Sequence, residues 1–338
     1  MTTAQKKVRY GIIGFGLFAK RTIAPAIQAS KNSALVAVQK RSLEAAREEA
    51  VLLSIPHAFS SVDDLVAHPD VDAVFIVSAN AAHCAETLSA ARGGKHVLVE
   101  KPMAMNVEET KRMIDECSRH NVKLMVGHMI RYSPLARRIR EIIRSGQIGR
   151  VTFAKSEFFY DARLTHRDWL TNRAVAGGGP VFDIAVHCLD TLRFVLEDEV
   201  ASVRSSLQPA VTETATERTA VLSLEFSGGT LASIITSYEA PAGRSFIEIV
   251  GTEGILSAYN FTLGSKTTTL QIALRTDGTI LKSEEETIAV PNLYVEEITS
   301  FSSSIIHNTD PAIPGNVGLE NQRVLDLAMA GGGTLSRS

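Results

Sequence analysis

A short glycine-rich stretch near the start of the chain constrains the fold most. Gly14-Phe15-Gly16-Leu17-Phe18-Ala19 follows an apolar run over residues 8–13 and precedes a helical pattern. In such a G-x-G-x-x-A stretch the first glycine permits a tight strand-to-helix turn, and the second lets a pyrophosphate approach the backbone. The free N–H groups of the first helical turn then face the anion. We therefore predict a dinucleotide site contacted by Gly14, Phe15, Gly16, Leu17 and Phe18, although a turn without a ligand is the alternative for this motif alone.

Strand and helix patterns alternate through the first 127 residues. The predicted strands cover 8–13, 34–39, 72–77, 96–100 and 123–126, and the predicted helices cover 17–29, 42–53, 81–92 and 107–119, with Pro25 bending the first helix. Such βαβ alternation predicts a doubly wound parallel sheet, whose ligands bind beyond the carboxyl ends of the strands. Residues that follow these ends should therefore share one crevice, namely Gly14, Lys40, Ser78 and Lys101.

The pattern changes after a predicted helix at 134–145. Serial strands with short turns are predicted at 150–160, 220–226, 230–238, 246–250, 268–275 and 279–282, with tail helices at 293–307 and 317–330. Serial strands with short turns favour a mainly antiparallel sheet rather than further βαβ units. We therefore predict a domain boundary after residue 127.

Composition excludes several classes of partner. The chain has 338 residues with a net charge of −2, and no basic run is interleaved with aromatic residues, so neither nucleic acid nor a membrane surface is expected as a partner. No signal peptide is recognisable, and no apolar run reaches the ~18 residues of a membrane-spanning helix. The three cysteines lack C-x-x-C spacing, which favours reduced thiols in the cytoplasm. No metal site is predicted.

The end of the second predicted strand indicates which cofactor the site prefers. NAD sites usually carry Asp or Glu there to bind the ribose hydroxyls, whereas this chain has Gln39-Lys40-Arg41-Ser42. Two cations and a hydroxyl suit the 2′-phosphate of NADP. We therefore predict a preference for NADP(H), with NAD(H) possible. The alternative is a solvated loop in which Ser42 only caps its helix.

Two further strand ends carry polar side chains. Ser78, Asn80 and His83 follow the 72–77 strand, where they are candidates to line the ribose on the nicotinamide side; the alternative is an N-cap at Asn80 with an exposed His83. Glu100 and Lys101 end the 96–100 strand. An ammonium group can supply a proton to a carbonyl oxygen during reduction and stabilise the developing alkoxide. The alternative is a surface Glu–Lys pair.

A second constellation follows three glycines and Pro180. Asp183, His187 and Asp190 fall at i, i+4 and i+7 of a predicted helix and form one polar stripe on an otherwise apolar segment. His187 suits proton transfer near neutral pH, and Asp183 can orient it. The stripe faces either a cleft or solvent. Metal ligation lacks a third nearby ligand, and hydrolysis by a Ser-His-Asp triad lacks a G-x-S-x-G stretch.

Together these segments resemble the glucose–fructose oxidoreductase / inositol dehydrogenase / MocA family over nearly the whole chain. The resemblance is carried by residues 11–19, 70–74 and 94–102, which includes Glu100-Lys101-Pro102, and by the triple glycine followed by Asp183 and His187. Residues 183–194 and 251–254 look nearest to the anhydrofructose-reductase branch. The resemblance implies a Rossmann domain over residues 1–127, followed over 128–338 by an α/β substrate-binding and oligomerisation domain with a large open, mainly antiparallel sheet. It implies hydride transfer between a nicotinamide and a carbonyl or hydroxyl carbon of a sugar or polyol.

The resemblance also implies roles for individual residues and a mode of assembly. Lys101 and His187 are expected to be the catalytic acid/base pair, and Asp183 is expected to support them or to bind substrate. Candidate substrate residues are Arg131, Tyr160, Trp169, Asp183 and His187. Trp169 is followed by leucine rather than the arginine common in the branch, so the branch's substrate is not carried over. The alternative for Trp169 is a core or hinge residue. A homodimer or homotetramer is expected.

Two alternative functions stay open at this level. One is a catalytically silent, NAD(P)-sensing regulator of the same fold, and the other is a reductase of a nucleotide-linked keto sugar. Retention of Lys101, Asp183 and His187 argues against the silent regulator.

Overall fold

A computed structural model describes residues 6–165, 167–262, 266–276, 278 and 280–335. The strands are β1 Val8–Ile13, β2 Ser33–Gln39, β3 His57–Phe59, β4 Ala73–Ile76, β5 His96–Glu100, β6 Leu124–Gly127, β7 Val151–Asp161, β8 Val200–Gln208, β9 Thr219–Phe226, β10 Leu231–Ser237, β11 Glu239–Gly251, β12 Gly254–Tyr259, β13 Thr267–Thr276, β14 Ile280–Ala289 and β15 Gly332–Thr334. The α-helices are α1 Ala24–Ala29, α2 Leu43–Leu52, α3 Val62–Ala67, α4 Asn80–Arg92, α5 Val107–Arg119, α6 Pro134–Arg144, α7 Arg173–Ala176, α8 Val186–Leu196, α9 Leu293–His307 and α10 Gly315–Met329. Within this described part of the chain, none of the helices has the length and apolar character needed to cross a bilayer.

The chain forms two compact units. The first comprises the residues up to Met129 together with Asn292–Gln322, and the second comprises Ile130–Pro291 and the residues after Gln322. This differs from the predicted contiguous domain over 128–338, because α9 packs against the first sheet. The Tyr10 hydroxyl lies 2.8 Å from Ser302 Oγ, and Asn32 donates a hydrogen bond of 3.0 Å to the carbonyl oxygen of Thr299.

The first unit is built on a parallel sheet with the order β3-β2-β1-β4-β5-β6. This confirms the predicted doubly wound arrangement. The strand order reverses between β1 and β4, and the crevice beyond their carboxyl ends is where such sheets bind nucleotides. Every residue of β4 is buried, as expected for a strand covered on both faces. The edge strand β3 was not predicted because its residues are half-buried and form no apolar run.

The helix predicted over 17–29 consists of two parts. A π-helical segment, Ala19–Ile23, leads into α1, and Pro25 lies in the first turn of α1. Proline has no N–H group to continue the hydrogen-bond ladder of the preceding turn, so the regular helix starts again there.

The second unit contains a large mixed sheet with the order β14-β13-β12-β11-β7-β10-β9-β8-β15 among the described strands. The neighbouring strands pair antiparallel except for the parallel pair of β7 and β10, which confirms the mainly antiparallel prediction. The short or half-polar strands β8, β12 and β15 were not predicted. Residue 279, where the last predicted strand begins, lies outside the described residues, and β14 extends to Ala289.

Candidate active site

The glycine turn after β1 lies between the ends of two neighbouring strands. Gly14 has φ +80°, and a Cβ atom there would lie 2.6 Å from Cα of Ser78, which follows β4. The Gly14 N–H donates to Oε1 of Gln39 at 3.1 Å, and the Phe15 N–H donates to the Gln39 carbonyl at 2.9 Å. Gln39 therefore stands where NAD enzymes usually have an acid, and its side-chain oxygen holds the glycine turn.

The space beside Gly16 is open in the direction of a Cβ atom. A Cβ atom there would meet no atom nearer than the Gly14 carbonyl oxygen, at 3.9 Å. Leu17 and Phe18 are exposed, and the Phe18 ring packs edge-on against Tyr294 of α9 at 5.8 Å between centroids. An accessible backbone at the start of a helix fits a dinucleotide pyrophosphate.

The basic stretch after β2 combines a helix cap with positive charge. Ser42 Oγ accepts a hydrogen bond of 3.2 Å from the Ala45 N–H, which confirms the predicted cap of α2. Lys40 lies 3.5 Å from Glu49 of α2, and Arg41 is exposed. The capping role leaves the Ser42 hydroxyl able to donate to a phosphate.

His83 connects the segments that follow β4 and β5. Its Nδ1 lies 3.0 Å from the carbonyl oxygen of Pro102 and its Nε2 lies 3.1 Å from that of Ser78. The ring is 1% exposed, and Asn80 is the buried first residue of α4 rather than its cap. The alternative of an Asn80 cap with an exposed His83 is therefore wrong. Burial lowers the pKa of His83, so the imidazole is neutral near pH 7.

The carboxyl group of Glu86 on α4 lies beside Ser78 and has a raised pKa. Ser78 Oγ donates to its Oε2 at 2.5 Å, and burial raises the pKa of Glu86 to about 7. Because the folded protein binds this proton more tightly than the unfolded chain, the free energy of unfolding falls as pH rises from the ordinary carboxyl pKa of 4.5 to about 7.

We expect Glu86→Gln to stabilise the protein above pH 7. At pH 8 the variant should exceed the unmodified chain by about 1–3 kcal/mol, and the difference should disappear near pH 4, where the carboxyl is protonated in both states. Urea unfolding at pH 4, 6 and 8 measures this, with the exposed Glu48→Gln as the control. A pH-independent difference would contradict the assignment.

Glu100 and Lys101 do not form the surface pair considered as an alternative. The Glu100 side chain is buried, and its Oε2 accepts the Lys101 N–H at 3.2 Å. Lys101 is half-buried at the end of β5. Glu297 of α9 is fully buried, and within the described residues neither of its carboxyl oxygens has a hydrogen-bond partner. Burial and the charge of Glu100 raise the pKa of Glu297, so it is a neutral acid near Glu100 that the sequence did not reveal.

In the second unit the predicted polar stripe is buried. Asp183 is 6%, His187 8% and Asp190 2% exposed, so the solvent-facing alternative is wrong. Asp183 lies in a π-helical segment, Val181–Ala185, that runs into α8. The buried Glu217 accepts the Val181 N–H at 2.9 Å and so satisfies a free donor at the start of this segment. No sequence signal pointed to Glu217, because it comes from a distant loop.

Asp183 is held between a guanidinium group and a phenol. Tyr160 donates to Asp183 Oδ2 at 2.6 Å, and Arg167 donates to Oδ2 at 3.1 Å and to Oδ1 at 3.3 Å. Burial and the Asp183 charge raise the pKa of Tyr160, so its hydroxyl stays a donor. Burial lowers the pKa of Arg167, but the charge of Asp183 outweighs this effect, so the pKa is raised overall. Arg167 was not among the predicted site residues.

The remaining predicted substrate residues lie in different surroundings. Arg131 donates from Nε and Nη2 to Asp190 at 2.9 and 2.8 Å and lies over the Phe194 ring, which suits fixing α8 better than binding substrate. Trp169 is half-buried in a short 3₁₀ turn, Asp168–Thr171. His187 packs against the Phe158 ring at 6.2 Å between centroids.

A group that could hold a metal occurs among the described residues at the amino end of β3. The ligand atoms of His57, His68 and Asp70 lie within 4.8 Å of one another. However, Asp70 Oδ2 lies 3.1 Å from His57 Nε2, and Asp70 Oδ1 pairs with Arg9 at 2.9 Å. The backbone N–H of Asp70 donates to His68 Nδ1 at 3.2 Å. These groups already satisfy one another.

The parallel sheet, the glycine turn and the polar strand ends are typical of oxidoreductases that bind NAD or NADP. Residues 8–128 match the family model described as "Oxidoreductase family, NAD-binding Rossmann fold", and residues 136–257 match "GFO/IDH/MocA C-terminal domain". The chain belongs to the GFO/IDH/MocA oxidoreductase family, and the resemblance found in its sequence is confirmed.

Curated relatives and solved structures match over most of the chain. A 1,5-anhydro-D-fructose reductase of Ensifer adhaerens is 32% identical over 92% of both chains. A D-xylose 1-dehydrogenase [NADP(+)] of Haloarcula marismortui is 28% identical over 94% of this chain and 89% of the relative. An aldose-aldose oxidoreductase from Caulobacter crescentus, crystallised with glycerol, superposes with a TM-score of 0.86 at 26% identity, covering 98% of this chain and all of the other.

Proposed function

We propose that the protein is an NADP(H)-dependent oxidoreductase that transfers a hydride between the nicotinamide and a carbonyl or hydroxyl carbon of a sugar or polyol. The observation that carries this proposal is the buried Asp183, fixed by Arg167 and Tyr160 one helical turn before the buried His187. A fixed carboxylate beside an imidazole suits the recognition of vicinal hydroxyl groups. The names of the relatives, which include an anhydrofructose reductase and a xylose dehydrogenase, support a sugar as substrate.

A nicotinamide cofactor, when bound, would supply or accept the hydride, and the chain supplies the proton chemistry. In the reductive direction the Lys101 ammonium donates a proton to the carbonyl oxygen and stabilises the developing alkoxide. His187 is the second acid/base group, and Asp183 accepts hydrogen bonds from substrate hydroxyls. In the first unit, the open backbone at Gly16 binds the pyrophosphate, and Lys40, Arg41 and Ser42 bind the 2′-phosphate.

The activity is tested with a panel of aldoses, ketoses and polyols. The purified chain is mixed with NADPH or NADP, and the absorbance of the reduced nicotinamide is followed. Turnover on a free sugar or polyol supports the proposal. Turnover confined to nucleotide-linked keto sugars would favour that alternative substrate class, and tight cofactor binding without turnover on any compound would favour a sensing regulator.

The preference for NADP(H) is tested with Arg41→Ala. A charge-assisted contact to the 2′-phosphate is worth about 1.5–3 kcal/mol, so the Kd for NADPH should rise about tenfold or more, while that for NADH stays within about twofold. Fluorescence titration of the full chain measures both constants. Arg47→Ala, an exposed arginine of α2, is the matched control. Equal losses for both cofactors would refute the role of Arg41.

A further inference from the structure

An ion-pair cluster lies beside the basic stretch after β2. Lys20 Nζ lies 2.8 Å from Glu49 Oε2, and Lys40 Nζ lies 3.5 Å from Glu49 Oε1. Lys20 belongs to the π-helical segment that directly follows the glycine turn, Lys40 directly follows β2, and Glu49 lies on α2. One carboxylate thus bridges two ammonium groups from separate elements.

Backbone hydrogen bonds hold the two lysines in this arrangement. The Lys20 N–H donates to the Gly16 carbonyl at 3.0 Å, and the Phe15 N–H donates to the Gln39 carbonyl at 2.9 Å. The glycine turn and the end of β2 are therefore fixed against each other. In sheets of this kind the ribose of the adenosine half binds at the end of the second strand. Lys40 directly follows that strand, and the Glu49 carboxylate joins Lys20 to it, so a 2′-phosphate bound there would meet both ammonium groups.

The charges in the cluster balance only in part. The Glu49 side chain is 17% exposed, and hydrogen bonding to Lys20 together with the charges of both lysines lowers its pKa, so it is a carboxylate at neutral pH. With Arg41, the four side chains carry a net charge of about +2. A phosphomonoester carries about −1.5 to −2 charges. A 2′-phosphate therefore competes with Glu49 for the same ammonium groups.

We propose that Lys20 is a third cation of the 2′-phosphate subsite and that Glu49 is the specificity-determining counter-anion of this subsite. This inference rests on the proposed preference for NADP(H). Glu49 pairs with both lysines when no phosphate is present, so NADH binds without leaving either ammonium group unpaired. When a 2′-phosphate is present, Glu49 repels it and weakens the discrimination in favour of NADP(H).

The test measures the ratio of the Kd for NADH to the Kd for NADPH in the full chain. Glu49→Gln keeps the shape and removes the repulsion, so the ratio should rise about three- to tenfold, and less at high salt. Lys20→Gln should lower the ratio by a similar factor. Glu49→Asp keeps the charge and should stay within about twofold of the unmodified chain. Glu48→Gln, an exposed neighbour with the same change of charge, is the matched control.

The outcomes separate this inference from the proposed function. A lower ratio in Arg41→Ala would support the preference for NADP(H) by itself. The role of Glu49 is then wrong if Glu49→Gln lowers the ratio, or changes it no more than Glu48→Gln does. An unchanged ratio in Lys20→Gln removes Lys20 from the subsite. If Arg41→Ala also leaves the ratio unchanged, or if neither nucleotide binds, the proposed preference fails and this inference fails with it.

Discussion

Lys101→Ala and His187→Ala are each expected to lower kcat about 10²-fold or more, the usual loss when a positioned acid/base group is removed. Lys101 directly follows β5, His187 lies in the first turn of α8, and neither change removes a large apolar group, so the fold should persist. Steady-state kinetics on the best compound of the sugar panel measures the effect. Lys111→Ala and His120→Ala, both at exposed positions of the first unit, are the controls. Turnover near that of the unmodified chain would rule the altered residue out of catalysis.

The double variant tests whether the two groups serve one proton transfer. Residues that act as a unit show strongly non-additive losses, so Lys101→Ala with His187→Ala should cost little more than the worse single change. Multiplicative losses would mean that the ammonium and the imidazole act in independent steps. The free energy of unfolding of each variant, measured in urea, separates loss of chemistry from loss of fold.

Local patterns made the first sheet predictable. Buried parallel strands are continuous apolar runs, and the helices between them begin at capping residues such as Ser42, so element type and order follow from short windows of sequence. The position of α9 did not follow from such windows. Its own sequence does not indicate which sheet it packs against, and the contacts that decide, such as Tyr10 with Ser302, join residues far apart in the chain.

The chemistry of the candidate site was predictable by residue type and strand-end position, but its environment was not. Spacing placed Asp183 and His187 on one helical face, whereas their burial depends on β7 and distant loops. For the same reason the partners Arg167 and Glu217 carried no local signal. Glu297 is the clearest case, since a glutamate in an amphipathic helix is normally expected to face solvent.

Gly16→Ala is expected to abolish tight nucleotide binding while leaving the fold intact. The added methyl group would meet no protein atom closer than 3.9 Å, so the melting temperature should change by no more than about 2 °C. That methyl group occupies the space through which a pyrophosphate approaches the backbone, so the Kd for NADPH and for NADH should both rise at least about tenfold.

Gly14→Ala, two residues away, is expected to destabilise the fold, in contrast to Gly16→Ala. Its methyl group would lie 2.6 Å from the Ser78 backbone at φ +80°, so the free energy of unfolding should fall by about 2–4 kcal/mol. Thermal unfolding and fluorescence titration of both variants give the comparison. If Gly16→Ala lost stability and kept its affinity for both nucleotides, the pyrophosphate would not lie across this turn, and the assignment of the crevice between β1 and β4 would be wrong.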